Sequence, residues 1–221
     1  MLLPRLVRPV LVPACHLAFR PVVEGREHVP RQGPVILAAN HLSFIDSFLI
    51  PLLSPRPVAF LAKDEYFTST TLTGRLTRAI LTGVDAIGVP RGAHRAAQAA
   101  VETALKVLEE GRAFGIHPEG SRSRDGRLYR GRTGVAWLAF ASGAPVVPVA
   151  VVGTDKVQPV GARMPRPGRV TVRFGAPITF TAPAGSAGRA RREATDRIMA
   201  AIAAMSGQEP AGCYNPLSTS A

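Results

Sequence analysis

VILAANHLSFID, residues 35–46, contains an apolar run, a polar turn and the start of a helix in close succession. The apolar run predicts a buried strand over 35–39, and Asn40 ends it. Ser43 is a suitable N-cap and predicts a helix over 44–53. A buried strand that enters a helix through a short turn is typical of α/β proteins.

Strands and helices alternate along the rest of the chain. Short apolar or alternating runs predict further strands over 58–62, 86–89, 113–116, 146–152 and 169–174. Helical periodicity or a longer apolar run predicts helices over 93–110, 133–142 and 186–205. The connections are long enough for crossovers, so we predict an α/β fold with a mixed, largely parallel sheet flanked by helices. In such sheets, binding sites form in the turns beyond the strand ends.

The composition indicates a folded protein with an anionic partner. A length of 221 residues fits one compact domain, and a hydrophobic content of 46% excludes disorder of the whole chain. Lys and Arg number 27 against 15 Asp and Glu, a formal net charge of +12. That surplus favours nucleic acid, an anionic membrane surface or a phosphorylated substrate. Cys15 and Cys213 form neither a metal-binding pair nor a disulfide framework.

The two ends of the chain are predicted to differ from its centre. Residues 1–24 are expected to contact a membrane, 25–206 to form the main domain and 207–221 to be a flexible tail. Within the first segment, arginines and prolines interrupt the apolar run, which disfavours both a secretion signal and a continuous helix. The uncharged stretch 133–154 is long enough to span a bilayer, but Gly and Pro at 142–145 divide it into a helix and a strand.

His41 and Asp46 form a His-x4-Asp pattern in the first turn. On a continuous helix these side chains would lie about 140° apart, because each residue turns about 100°. If Ser43 caps the helix, Asp46 lies in the first helical turn and reaches back to His41. A carboxylate there would orient the imidazole as a general base for a hydroxyl. Alternatively, His41 only caps the turn and Asp46 interacts with the helix dipole.

A second polar turn, HPEGSRS at residues 117–123, follows another apolar strand. Gly120 permits close backbone approach, Ser121 offers a hydroxyl donor, and Arg122 has the planar fork that suits a phosphate. Glu119 would position that fork or accept a hydrogen bond from a substrate. The alternative is an ordinary polar turn with a surface salt bridge.

Other polar residues near these turns suggest weaker possibilities. Arg91 follows the strand at 86–89 and is either a second phosphate contact or a solvated charge. His41 and His117 suggest a metal site, but no carboxylates have a spacing that converges on them, so we expect no bound metal. The arginines between 122 and 132 suggest nucleic-acid binding, yet Tyr129 is the sole aromatic residue there and offers no stacking platform.

Four ordered motifs resemble those of the glycerolipid acyltransferase family, and they lie at residues 41–46, 88–91, 119–123 and 147–149. Residues 62–65 and 132–134 resemble two further elements of that family, and the similarity extends from about residue 24 to 180. Family members often have Phe and Thr where this chain has His117 and Ser121. These two departures leave the identity of the acceptor open.

The resemblance implies specific roles for the residues of the motifs. It implies that 25–206 is an acyltransferase domain with a glycerol-3-phosphate acyltransferase-like fold, in which His41 is the base and Asp46 its partner. It also implies an acceptor-binding set: Lys63, Arg91, Glu119, Gly120, Ser121 and Arg122. No acyl-enzyme is implied, because the substrate's own hydroxyl is the nucleophile.

The implied reaction transfers a fatty acyl group to the sn-2 hydroxyl of 1-acyl-glycerol-3-phosphate and forms phosphatidic acid. No cofactor is expected beyond the co-substrate, an acyl-CoA or acyl carrier protein thioester. The expected partners are a lysophospholipid acceptor, that thioester and an anionic membrane surface at the cytoplasmic face of the cell membrane, with no nucleic acid. The open alternatives are another lysolipid, a glycolipid or an aminolipid as acceptor, and more remotely a basic module that binds nucleic acid.

Overall fold

A computed structural model describes residues 3–63, 68, 71–83, 85–89, 95–162, 164–181 and 186–216. Its helices are α1 Leu3–Phe19, α2 Asp46–Leu53, α3 Leu72–Gly83, α4 Arg95–Glu109, α5 Gly134–Ser142, α6 Thr154–Val157 and α7 Ala187–Ser206. Its strands are β1 Val22–Glu24, β2 Val35–Ala39, β3 Val58–Lys63, β4 Ala86–Val89, β5 Ala113–Ile116, β6 Val146–Val152 and β7 Thr171–Phe174. A single turn of 3-10 helix covers Arg26–His28.

Within these residues the strands form one sheet in the order β1-β7-β6-β2-β5-β3-β4. Neighbouring strands run parallel except β6 and β7, which are antiparallel. The predicted mixed, largely parallel sheet with flanking helices is therefore confirmed. β2 lies between β5 and β6, so the carboxyl end of β2, where His41 follows, is at the middle of the sheet.

Two apolar layers enclose the sheet. Residues of α1 and α2 pack on one face, together with Val35, Leu37 and Ala39 of β2. Residues of α4, α5 and α7 pack on the other face with Ile36 and Ala38. Successive residues of β2 thus face opposite layers, and because both layers are apolar the strand is a continuous hydrophobic run.

The first segment differs from its prediction in two ways. α1 is a continuous helix although Pro9 and Pro13 lie inside it. Tertiary contacts compensate: Cys15 is buried, and the Arg8 guanidinium donates to the carbonyl oxygens of Leu52 and Ser54 at 3.3 and 2.9 Å. The sheet also begins before residue 25, since β1 pairs with β7. The segment that was expected to contact a membrane therefore contributes β1 to the sheet and Cys15 to the core.

Residues 207–216, the described part of the expected flexible tail, form hydrogen bonds with the main domain. The N–H of Leu128 donates to the Glu209 carbonyl at 2.9 Å, and the N–H of Arg130 donates to that of Cys213 at 2.8 Å. The Asn215 amide donates to the carbonyls of Ser121 and Arg122 at 3.1 Å each. These bonds hold the segment against the loop after β5. The sequence of this segment does not indicate these hydrogen bonds, because their partners at residues 121–130 are distant in sequence.

The uncharged stretch 133–154 is divided as predicted. α5 ends at Ser142, where Gly143 adopts a left-handed conformation with φ of 65°, and β6 begins at Val146. No helix in the described part of the chain has the length and apolar character needed to cross a membrane.

Candidate active site

His41 and Asp46 form a hydrogen-bonded pair directly after β2. Nδ1 of His41 lies 3.0 Å from Oδ2 of Asp46, although five positions separate them. Because a carboxylate oxygen accepts, Nδ1 carries a proton, and in the neutral imidazole the lone pair is then on Nε2. No described residue is hydrogen-bonded to Nε2, and the His41 side chain is 16% exposed. The pair can therefore present a base to an entering hydroxyl.

The environment of Asp46 keeps its carboxylate ionised. The side chain has no exposed surface, and burial alone would raise its pKa. The opposing effects, of which the hydrogen bond from His41 is the largest, together outweigh burial and hold the pKa below its ordinary value. Oδ2 also accepts the N–H groups of Leu42 and Ser43 at 2.7 Å each. Asp46 thus orients the ring and the turn together.

Ser43 has a different role from the predicted helix cap. α2 begins at Asp46, and no side-chain hydrogen bond caps its start. The buried Ser43 hydroxyl donates instead to the Gln158 carbonyl oxygen at 2.8 Å. Asp46 nevertheless lies in the first turn of α2 and reaches back to His41, as predicted. Its carboxylate accepts the N–H groups of two residues that precede the helix, Leu42 and Ser43.

Glu119 connects the two polar turns. Its Oε1 accepts the His41 N–H at 2.8 Å, and its Oε2 accepts the Tyr129 N–H at 2.9 Å. The side chain has no exposed surface; this burial raises its pKa to about 7, although both hydrogen bonds lower it. These partners differ from the expected ones, the Arg122 fork and a substrate. In this structure each oxygen of Glu119 accepts a backbone N–H, and the side chain has no exposed surface at which an acceptor could bind.

The loop after β5 lies directly against the His41 turn. The Ser123 N–H donates to the His41 carbonyl at 2.7 Å, and the Gly120 N–H donates to that of His117 at 3.0 Å. Gly120 has φ of 79°, a conformation that favours glycine. Arg122 is exposed and Ser121 is half-buried. The two predicted turns therefore form one site at the carboxyl ends of β2 and β5.

A sequence model of the acyltransferase family matches residues 20–152, which include both turns. The chain belongs to the acyltransferase family. It is 33% identical over 157 residues to the 1-acyl-sn-glycerol-3-phosphate acyltransferase of Limnanthes douglasii, covering 71% of this chain and 53% of that protein. It is 31% identical over 134 residues to the enzyme of that name from Borreliella burgdorferi, covering 61% and 52%. The chain thus spans about half the length of these relatives.

A solved structure has a similar fold over most of its length. It is the 1-acyl-sn-glycerophosphate (LPA) acyltransferase PlsC from Thermotoga maritima, with a TM-score of 0.63 and 27% identity. The similarity covers 88% of this chain and 79% of that one. It therefore extends beyond the motifs to the sheet and helices that carry them.

Two predicted acceptor-binding residues of this family member are not placed by the structure. Arg91 lies outside the described residues. The backbone of Lys63 ends β3 beside Val89, but its side chain is outside the description. Their predicted contacts with an acceptor remain predictions.

The sequence did not indicate the contacts of two residues that shape this candidate site. The buried Asn40 accepts the Val151 N–H at 2.7 Å and donates to the Val151 carbonyl at 2.9 Å, which ties the end of β2 to β6. The His117 ring lies against His41 with 3.9 Å between ring centroids. The signal for Asn40 was a polar residue directly after a fully apolar strand. No local pattern marks the stacking of His117.

The basic segment after the site is partly neutralised. Arg127 pairs with Asp125 at 2.7 Å, while Arg130 and Arg132 lie over the Tyr214 ring at 5.3 and 5.6 Å from its centroid. Tyr214, which is 44% exposed, thus contacts two guanidinium groups of this segment. Among the described residues, no group of three or more His, Cys, Asp or Glu side chains could hold a metal ion.

Proposed function

We propose that this protein transfers a fatty acyl group from acyl-CoA or an acyl carrier protein thioester to the sn-2 hydroxyl of 1-acyl-glycerol-3-phosphate. The product is phosphatidic acid, a precursor in phospholipid synthesis. The observation that carries the proposal is the 3.0 Å bond between His41 Nδ1 and the buried carboxylate of Asp46. The names of the relatives supply the acceptor and the type of O-acyltransferase.

In the proposed mechanism, Nε2 of His41 removes the proton of the acceptor hydroxyl while that oxygen attacks the thioester carbonyl carbon. The tetrahedral intermediate collapses, the C–S bond breaks, and the thiolate takes the proton from Nε2 to leave as a thiol. Asp46 stays ionised and stabilises the transient imidazolium, because hydrogen bonds hold its pKa low. The transfer is direct and needs no resident cofactor beyond the thioester co-substrate.

The phosphate of the acceptor is assigned to the loop after β5. Arg122 adjoins Ser123, whose N–H bonds the His41 carbonyl, so its exposed side chain starts close to the base. A guanidinium there can bind a phosphate through two parallel hydrogen bonds. Ser121 and the backbone at Gly120 are assigned to the same headgroup. Arg91 and Lys63 are proposed to contribute on the basis of their motifs alone.

We also propose peripheral attachment to an anionic bilayer at the cytoplasmic face of the cell membrane. The net charge of +12 favours such a surface, and Leu17 of α1 is an apolar residue that is 84% exposed. Because the opposite side of α1 packs in the core, deleting the segment would unfold the protein. Leu17→Asp tests the contact in liposome sedimentation, with Ala200→Asp on α7, which packs on the opposite face of the sheet, as the charge-matched control. Equal binding of both variants would exclude this contact.

Mass spectrometry of the products tests the activity. The purified full chain is incubated with acyl-CoA or acyl carrier protein thioester and a panel of lysophospholipids, a glycolipid and an aminolipid. Phosphatidic acid as the dominant product supports the proposal. A different acylated lipid as the main product would identify a different acceptor. The absence of any acylated product with either thioester would overturn the proposal.

A further inference from the structure

The His117 ring lies flat against the proposed base and has no part in the mechanism above. The rings of His41 and His117 are 3.9 Å apart between centroids and inclined by only 7°. Phe60 packs on His117 at 5.5 Å between centroids. A Cβ at Gly115, which pairs with Phe60 in the sheet, would lie 2.0 Å from the Phe60 ring. Only glycine at that position leaves room for this arrangement.

Hydrogen bonds hold His117 at both ring nitrogens. Its Nδ1 lies 3.1 Å from the carbonyl oxygens of Ala39 and Asn40. A carbonyl can only accept, so Nδ1 carries the proton and donates to them. Nε2 is then the acceptor, and the Ser47 hydroxyl, 3.2 Å away, donates to it. The ring is thereby tied to the end of β2 on one edge and to α2 on the other.

His117 also stays neutral when its neighbour is charged. Burial lowers the pKa of His117 to about 3, and a positive charge on His41 acts in the same direction, against the opposing effects of Asp46 and the two carbonyls. A base this weak cannot activate Ser47 as a nucleophile, so the Ser47–His117 contact is not a second catalytic pair. The neutral ring can remain stacked on His41 throughout a proton transfer.

The hydrogen bond to Asp46 does not by itself fix the orientation of the His41 ring plane. A hydrogen bond at Nδ1 fixes that edge of the imidazole but permits the ring plane to tilt about the bond. We propose that His117 is a positioning residue for acyl transfer, whose parallel ring fixes the plane of His41 so that Nε2 meets the acceptor hydroxyl in line. The expected effect on turnover rests on the proposed function. The geometry rests on the ring stacking and on the hydrogen bonds at both nitrogens of His117.

Kinetics of His117→Ala, His117→Phe and Ser47→Ala test the proposal, with His16→Ala, an exposed histidine of α1, as the control. We expect His117→Ala to lower kcat by about 10- to 100-fold, the range for a misplaced reacting group, with KM for both substrates within about twofold. His117→Phe keeps a planar face and should recover most of that loss. Ser47→Ala should lower kcat by less than about fivefold, because the carbonyls still hold Nδ1. Unchanged kcat in His117→Ala, or an equal loss in the Phe variant, would overturn the proposal.

A second readout does not depend on the acceptor. Nitrogen NMR of the His41 side chain, assigned by comparison with His41→Ala, should report one tautomer in the wild type and in His117→Phe. In His117→Ala the signals should broaden or report two tautomers. If the wild type acylates no lipid but this difference appears, the proposed function fails while the positioning stands. Identical spectra in all three proteins would overturn the positioning.

Discussion

The backbone N–H of His41 donates to Oε1 of Glu119 over 2.8 Å, and the other carboxylate oxygen accepts the Tyr129 N–H at 2.9 Å. One buried side chain therefore joins the turn after β2 to the loop after β5. Glu119, the acidic residue of the motif at residues 119–123, thus accepts a hydrogen bond from the backbone of the proposed base. The contributions of four residues can consequently be tested by separate substitutions, at His41, Asp46, Glu119 and Arg122.

His41→Ala should lower turnover by about 10² to 10⁴ without unfolding the protein, the range expected for loss of a positioned base. Oδ2 of Asp46 keeps the N–H groups of Leu42 and Ser43, so the turn retains two of its hydrogen bonds. Steady-state kinetics and thermal unfolding measure the two effects. His16→Ala should match the wild type in both. Near-normal turnover in His41→Ala would contradict its role as base.

Asp46→Asn should lower kcat by about 10² to 10⁴, since an amide neither holds the required tautomer nor offsets an imidazolium charge. The pKa of Asp46 is lowered in the folded protein, so between that pKa and about 3.9 the unfolded chain binds more protons. Its stabilising effect is therefore present above about pH 4 and lost as pH falls. Acid titration of folding should show a shallower loss of stability in Asp46→Asn. Parallel curves for the two proteins would count against this.

Glu119→Gln should change how stability depends on pH in the opposite sense. Burial raises the pKa of Glu119 to about 7, so between about pH 4.5 and 7 the folded protein holds a proton that the unfolded chain has lost. Its contribution is greatest below about pH 4.5 and is lost as pH rises through 7, by an amount on the order of 3 kcal/mol. Urea unfolding at several pH values measures it. The difference between wild type and variant should vary over this range, and a constant difference would disprove the assignment.

Asn40→Ala should destabilise the fold by about 2 to 4 kcal/mol, because both backbone groups of the buried Val151 lose their partner. Gln208→Ala is the matched control: it removes the bonds of the Gln208 side chain to Asn40 Nδ2 and to the Gly126 carbonyl but leaves Val151 satisfied. Its cost should stay below about 1 kcal/mol. Chemical denaturation measures both values. Equal losses would mean that the tie between β2 and β6 is not the stabilising element.

Arg122→Ala should raise KM for a phosphorylated acceptor by about tenfold with a smaller effect on kcat, as expected for loss of one charge-assisted contact. Arg124→Ala, an exposed arginine of the same loop, should change KM by less than about twofold if the contact is specific to Arg122. An acceptor without phosphate should not distinguish Arg122→Ala from the wild type. An unchanged KM for lysophosphatidic acid would assign the phosphate elsewhere.

Local sequence was sufficient for the elements with strong boundaries. The limits of β2, β5 and β6 agree with their predicted ranges, because each is a short apolar run between turn-forming residues. The His41–Asp46 contact was also predictable, since both residues lie in one turn between a strand and a helix. α1 was not predictable, because its prolines oppose a helix and only core packing and the bonds of Arg8 compensate.

Residues 35–46 alone thus indicate the nature of the site: a histidine with a carboxylate five positions away, at the end of a buried strand. Its assembly depends on strand order. β5 and β6 lie on either side of β2, and this brings Glu119, His117 and Val151 to residues 40–41 from 77 to 111 positions away. Such pairings carry no local periodicity, because burial and parallel register across the sheet select them. The histidine–carboxylate pair is local, whereas the alignment of the base and the shifted pKa values of Glu119 and His117 arise only in the folded chain.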